Sequence, residues 1–281
     1  MALLLGSLFQ ILHAQNSETI QMENLYPWCI VAYDSIERSP SERIKMIKEL
    51  GFVKYAYDWR DNHLKDTETE LLLARDDEIK IIGIWLWLNA KRDQLHEFGE
   101  ANKKLLGIVE KLDLKTTFWL GLSPNYFEDL NEVESRKLGI QLVDWVATKA
   151  QNIGCSVALY NHSGWFADPY NQVDIIKALP AHDLSMVFNF HHARQSIDKF
   201  PQIASTITPY LSAVNLNGMK PNGPKILEIG KGHHEKEMIE ILMKAGFNGP
   251  WGIMGHVEDE DARTILEKNI RGLKNLKVLE P

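Results

Sequence analysis

Several features that would point directly to a function are scarce or absent. The 281 residues include only two cysteines, Cys29 and Cys155, and no Cys-x-x-Cys spacing. That argues against a thiolate zinc centre, and both positions open apolar, strand-like runs that read as two buried free thiols. A basic run is missing as well. Lys+Arg number 31 against 38 Asp+Glu, a net charge of −7, which suits a small-molecule enzyme or binding protein better than a grip on a phosphate backbone. No Gly-rich turn follows the first apolar run, where Tyr33-Asp34-Ser35-Ile36-Glu37 stands instead. That counts against an open dinucleotide-binding sheet. No apolar run is long enough to cross a bilayer as a helix, and no low-complexity linker divides the chain.

The one leader-like run is Ala2–Leu12, followed by His13-Ala14. An apolar stretch ending at a small residue resembles a secretory signal cleaved after Ala14, although no Lys or Arg precedes it. The expectation is a signal peptide over 1–14, an N-terminal extension over 15–27, and export to the periplasm or the exterior. A cytoplasmic location follows if the leader is not a signal.

Beyond it, short apolar runs alternate with amphipathic segments. The expected strands are Cys29–Asp34, Phe52–Asp58, Ile79–Asn89, Thr116–Leu122, Cys155–Asn161, Leu184–Phe190, Ala213–Asn217 and Gly252–His256. Ser39-Pro40-Ser41-Glu42 carries helix-start chemistry, and Gly51 and Gly154 stop helices. A last helix is expected over Asp259–Leu273. Eight strand–helix units in about 250 residues match an α/β fold with a single (β/α)8 TIM barrel, here over 28–281.

Chemistry in such a barrel sits at the C-terminal strand ends. His162, His192 and His256 fall there, with Tyr160 and the amides of Asn189, Asn215 and Asn217. Imidazole serves as acid, base or metal ligand near neutral pH, and amides hold sugar hydroxyls without charge. Trp59, Trp85, Trp87 and Trp119 are candidates to stack on a sugar face, while Lys225 and Glu258 can reach in from loops. Strand alternation allows only one of His191 and His192 to face inward; His192 is expected there and His191 in the loop.

Five landmarks occur in order: Leu159-Tyr160-Asn161-His162, Asn189-Phe190-His191-His192, Asn215-Leu216-Asn217-Gly218, Ile229-Gly230-Lys231-Gly232 and Ala245-Gly246-Phe247-Asn248-Gly249-Pro250. In this order the chain resembles the xylose isomerase-like TIM barrels, the sugar phosphate isomerase/epimerase group that also includes endonuclease IV. The resemblance implies carboxylates and histidines at the ends of strands five to eight that hold a divalent metal. Here Tyr160, Asn189, Asn215, Gly218 and Met254 stand at the positions of the family's acids and strand-seven histidine, while His162 and His192 survive. A Mg²⁺ or Mn²⁺ site is weakened by that exchange, and a softer ion such as zinc on His162, His192 and His256 is the metal that would remain. The nucleic-acid branch of the family needs a carboxylate-rich cluster and a basic surface, which this sequence lacks.

Two readings stay open. The first is an isomerase, epimerase or lyase that moves a proton next to a sugar carbonyl. His162 or His192 would be its base, the other histidine or Tyr160 its acid, and the amides the enolate's hydrogen-bond donors. The second is a non-catalytic carbohydrate-binding barrel that has lost the metal site. Both imply a small-molecule carbohydrate partner and no nucleic acid.

Overall fold

The computed structural model describes residues 19–89 and 95–280. The leader and its cleavage point after Ala14 lie outside the described residues. Eight strands alternate with eight helices: β1 (Leu25–Trp28), α1 (Pro40–Glu49), β2 (Lys54–Tyr57), α2 (Thr67–Asp76), β3 (Lys80–Leu88), α3 (Glu100–Lys111), β4 (Thr117–Leu122) and α4 (Glu132–Asn152). Then come β5 (Ser156–Tyr160), α5 (Pro169–Ala178), β6 (Leu184–Asn189), α6 (Phe200–Ile207), β7 (Leu211–Leu216), α7 (Glu235–Lys244), β8 (Trp251–Met254) and α8 (Ala262–Asn275). The strands form one parallel sheet in the order β1-β8-β7-β6-β5-β4-β3-β2. The sheet curls into a nearly closed barrel, a single (β/α)8 TIM barrel, and among the described residues no ladder joins β1 to β2.

Local chemistry sets the boundaries. Ser39 and Glu42 form a capping box ahead of α1, the Glu42 carboxylate accepting from Ser39 N–H at 2.9 Å, with Pro40 in the first turn. The first strand falls earlier than the sequence pattern suggests. Cys29 takes a left-handed φ of 57°, which ends β1 at Trp28. The N–H groups of Ile30, Val31 and Ala32 then donate to the buried Asp58 carboxylate at 3.1, 3.0 and 3.3 Å. Cys29–Asp34 is therefore a loop wrapped on a carboxylate. Ile20, in the stretch read as an extension, pairs with Leu279. The last helix starts at Ala262, because Asp261 accepts from Arg263 N–H at 2.8 Å and supplies its cap.

Two cores result. The larger lies between sheet and helices; the smaller fills the barrel with Tyr26, Trp28, Trp119 and Tyr160 against Ala56, Ala158 and Ala213. Glycines make room for the rings: a Cβ on Gly83 would lie 2.1 Å from the Trp119 indole. Cys29 and Cys155 are both free and buried. No helix among the described residues is long and apolar enough to cross a membrane.

Candidate functional site

At the C-terminal end of the barrel a cup of about 80 Å³ is lined by Trp28, Cys29, Tyr33, Arg60, Trp85, Tyr160, His162, Asn189, His191, His192, Met254 and His256. Through Arg60, Trp85 and His162 it shares a wall with a groove of about 590 Å³ that also borders Trp59 and Trp87. The cup is below the usual range for whole small-molecule ligands, about 300–1,000 Å³. Its volume is enough for one functional group, and a larger ligand would extend into the groove.

The floor is cross-linked and uncharged. The Tyr160 hydroxyl accepts from Trp28 Nε1 at 3.2 Å and from Asn189 Nδ2. Asn189 Oδ1 accepts from His191 N–H at 2.9 Å, and Asn189 N–H donates to Asn161 Oδ1 at 2.7 Å. Beneath it, Tyr26 donates to Asn215 Oδ1 at 2.8 Å. Burial pushes the Tyr160 phenol well above its ordinary value, so it stays neutral.

Four imidazoles form an arc above this floor. Ring centroids are 4.6 Å apart for His162 and His192, 4.4 Å for His192 and His191, and 5.9 Å for His191 and His256. His256 lies against Tyr33 at 3.7 Å, and His162 against Trp87 at 4.9 Å and Trp85 at 5.6 Å. Burial is the main cause that lowers the basicity of each ring. It takes His191 and His256 down to about 4, and His192, which also faces His191 and His162, down to about 2. His162 is lowered by burial and then by the charges of Arg60 and Lys225. All four rings are therefore neutral at physiological pH.

His191 corrects a sequence expectation. Strand β6 ends at Asn189, and Phe190–His192 form a 3-10 turn. Two-residue alternation does not govern a turn, so both histidines line the cup. Trp119 is also corrected: it is 1% exposed, in ring contact with Trp28, Tyr26 and Tyr160, and lines neither cup nor groove. Asn215 is buried under the floor. Asn217 Nδ2 donates to the carbonyls of Gly218 and Lys225 at 2.8 and 2.9 Å, so it fastens the 218–228 loop instead of facing a ligand. Lys225 and Glu258 have exposed side chains that line neither cavity. The structure brings together Tyr160, His162, Asn189, His192, His256 and Trp85, with Trp87 in the groove. Sequence reasoning passed over Arg60; the signal for it was its place two residues past the expected end of the second strand, Asp58.

A divalent metal does not fit these donors. Among the described residues no three His, Cys, Asp or Glu side chains converge to hold an ion, and His162, His192 and His256 are no exception. The positions that would supply anionic oxygens carry Tyr160, Asn189 and Asn215, whose oxygens already accept hydrogen bonds within the floor.

No protein-family model and no curated protein matches the chain. Solved structures do. The chain is similar to D-psicose 3-epimerase from Clostridium cellulolyticum H10, at 16% identity and a TM-score of 0.59 over 91% of this chain and 99% of that one. It is similar to IolI with a bound zinc atom, at 12% identity and a TM-score of 0.66 over 93% and 99%. It is also similar to 3-keto-D-glucoside 4-epimerase, YcjR, from E. coli, at 13% identity and a TM-score of 0.64 over 90% and 98%. At these identities the likeness is one of fold: the chain has the xylose isomerase-like TIM-barrel fold.

Proposed function

We propose that the chain acts on a carbohydrate and moves a proton next to its carbonyl, as an isomerase, epimerase or lyase does. The observation that carries this reading is the arc of four neutral imidazoles over an uncharged floor. The sugar epimerases that share the fold support the substrate class. In this reading His162, which borders both cup and groove, takes the proton from a carbon held at the mouth. His192, in ring contact with His162, stays neutral and is a hydrogen-bond partner for the sugar's oxygen. Tyr160 and Asn189 shape the floor, and Trp85 and Trp87 offer ring faces to the sugar. A neutral base so placed contributes typically about 10²–10⁴-fold in rate.

The test is turnover by purified protein across a panel of sugars and keto-sugars followed by NMR. Replacing His162 or His192 with Ala should cost about 10²-fold or more on the sugar that is converted. Full activity in both variants overturns this mechanism. A second reading, sugar binding without conversion, is favoured by the internal engagement of Tyr160 and Asn189. Calorimetric binding with no conversion anywhere in the panel would select it.

A further inference from the structure

Among the described residues Arg60 is the one cation that lines the cup, and its surroundings differ from those of the other arginines near this end of the chain. Arg38 pairs with Asp34 and Asp261, and Arg43 with Glu70. Arg60 makes no ion pair among the described residues. Its Nη1 donates to the carbonyls of Asp58 and Trp59 at 2.7 and 2.8 Å, which locks the side chain in place. The guanidinium carbon sits 5.6 Å from the centroid of the Tyr33 ring, and that ring lies against His256. Asp58 attracts the guanidinium, but its oxygens accept from Ile30, Val31 and Ala32. Among the described residues no carboxylate lines the cup, and Arg60 stands where cup and groove join.

We propose that Arg60 anchors a carboxylate of the substrate, so that the ligand of this site is an acidic sugar. The inference rests on the carbohydrate reading above and narrows it. A held guanidinium facing a cup without acids is a preorganised receptor for a planar anion, and one fork matches one carboxylate. The small cup volume suits that single group, with the sugar ring on Trp85 and Trp87 in the groove. Among the described residues lining the cup, the neutral imidazoles leave the guanidinium as the cationic donor. The acids of the groove lie outward: Glu97 and Glu100 pair with Lys103, and Asp61 is exposed in the turn beside Arg60.

The experiment is isothermal titration calorimetry of the full chain with glucose and glucuronate and with galactose and galacturonate. Glucose 6-phosphate serves as the phosphate arm. Wild type should bind at least one uronate about tenfold or more tighter than its parent sugar. Arg60→Gln should erase that gap and leave the parent sugar's affinity within about twofold, and Arg60→Lys should restore part of it. Lys244→Gln, which changes an exposed charge at the end of α7, should keep the gap. Equal binding of acid and parent, or a gap that survives Arg60→Gln, overturns the anchor while leaving the carbohydrate reading intact. Preference for the phosphate ester over both uronates overturns the carboxylate assignment. Absence of binding by every sugar defeats the carbohydrate reading and this inference with it. Thermal unfolding of both Arg60 variants shows whether a lost gap is a lost contact or a lost fold.

Discussion

The neutral histidine arc makes stability depend on pH in a range where few other groups titrate. His191 and His256 are held down to about 4 by burial and by neighbouring charge, while a histidine in the unfolded chain titrates near 6.5. Above about pH 6.5 both states are neutral and these groups contribute nothing to the pH dependence. Below it the unfolded chain takes up protons that the folded chain refuses, so stability falls as pH falls, down to the folded values near 4. Integrated from pH 7 to pH 5, each of the two histidines removes about 2 kcal/mol, or about 4 kcal/mol for the pair. At about 2–4 °C per kcal/mol for a chain of this size, the midpoint should drop by roughly 8–16 °C.

The assay is thermal or urea unfolding of wild type, His191→Gln and His256→Gln at pH 7, 6 and 5. The other titratable groups are common to all three proteins, so the difference between variant and wild type isolates the imidazole. Each variant should lose about 2 kcal/mol less than wild type between pH 7 and pH 5. If His256→Gln loses as much stability as wild type over that range, His256 titrates normally and the description of a dry, neutral arc is wrong.

Three other outcomes test the architecture. Trp119→Ala should cost about 3–5 kcal/mol, seen as a midpoint lower by roughly 6–20 °C, because it empties the middle of the barrel; an unchanged midpoint with lost sugar binding would instead make Trp119 a ligand contact. Gly252→Ala puts a Cβ 2.2 Å from Asn215 Oδ1 and 2.6 Å from the Tyr26 ring, and denaturant unfolding should register about 1–3 kcal/mol of overpacking; a neutral effect would mean the floor is looser than described. Asn217→Ala removes the amide that holds the Gly218 and Lys225 carbonyls, so hydrogen exchange and proteolysis over residues 218–228 should accelerate while the global midpoint moves little.

The fold was legible in the sequence because a parallel barrel buries its strands on both faces, and continuous apolar runs such as Ile81–Leu88 have few other uses. The arc was legible in part for the same reason: His162, His192 and His256 stand just past strand ends, where packing alone gives little reason for an imidazole. Local backbone detail was not. The run Cys29–Asp34 has strand composition, yet the Asp58 carboxylate, distant in sequence, draws its N–H groups into a loop. His191 was misplaced because the period-two rule was carried one turn beyond the end of β6. Trp119 and Asn215 were read as ligand contacts because the sequence does not show depth along a strand; both lie below the level at which the barrel opens. Arg60 was overlooked because its meaning depends on the absence of a partner carboxylate, which only the three-dimensional arrangement reveals.

The same arrangement explains how a barrel of this fold stands without anionic groups in its cup. Several carboxylates in a small dry cup repel one another and need a cation to hold them together. A floor of Tyr160, Asn189 and Asn215 has no such need, since its oxygens accept from Trp28 Nε1, Asn189 Nδ2 and the Tyr26 hydroxyl. With the floor neutral, burial keeps the histidines neutral as well, and Arg60 remains as the charge that lines the cup. A neutral floor with Arg60 lining the cup is the arrangement on which the proposal of an anionic ligand rests. Charge development on a bound sugar would be met by Arg60 and by imidazoles that become more basic as negative charge arrives, so proton transfer is strengthened when the enolate forms and not before.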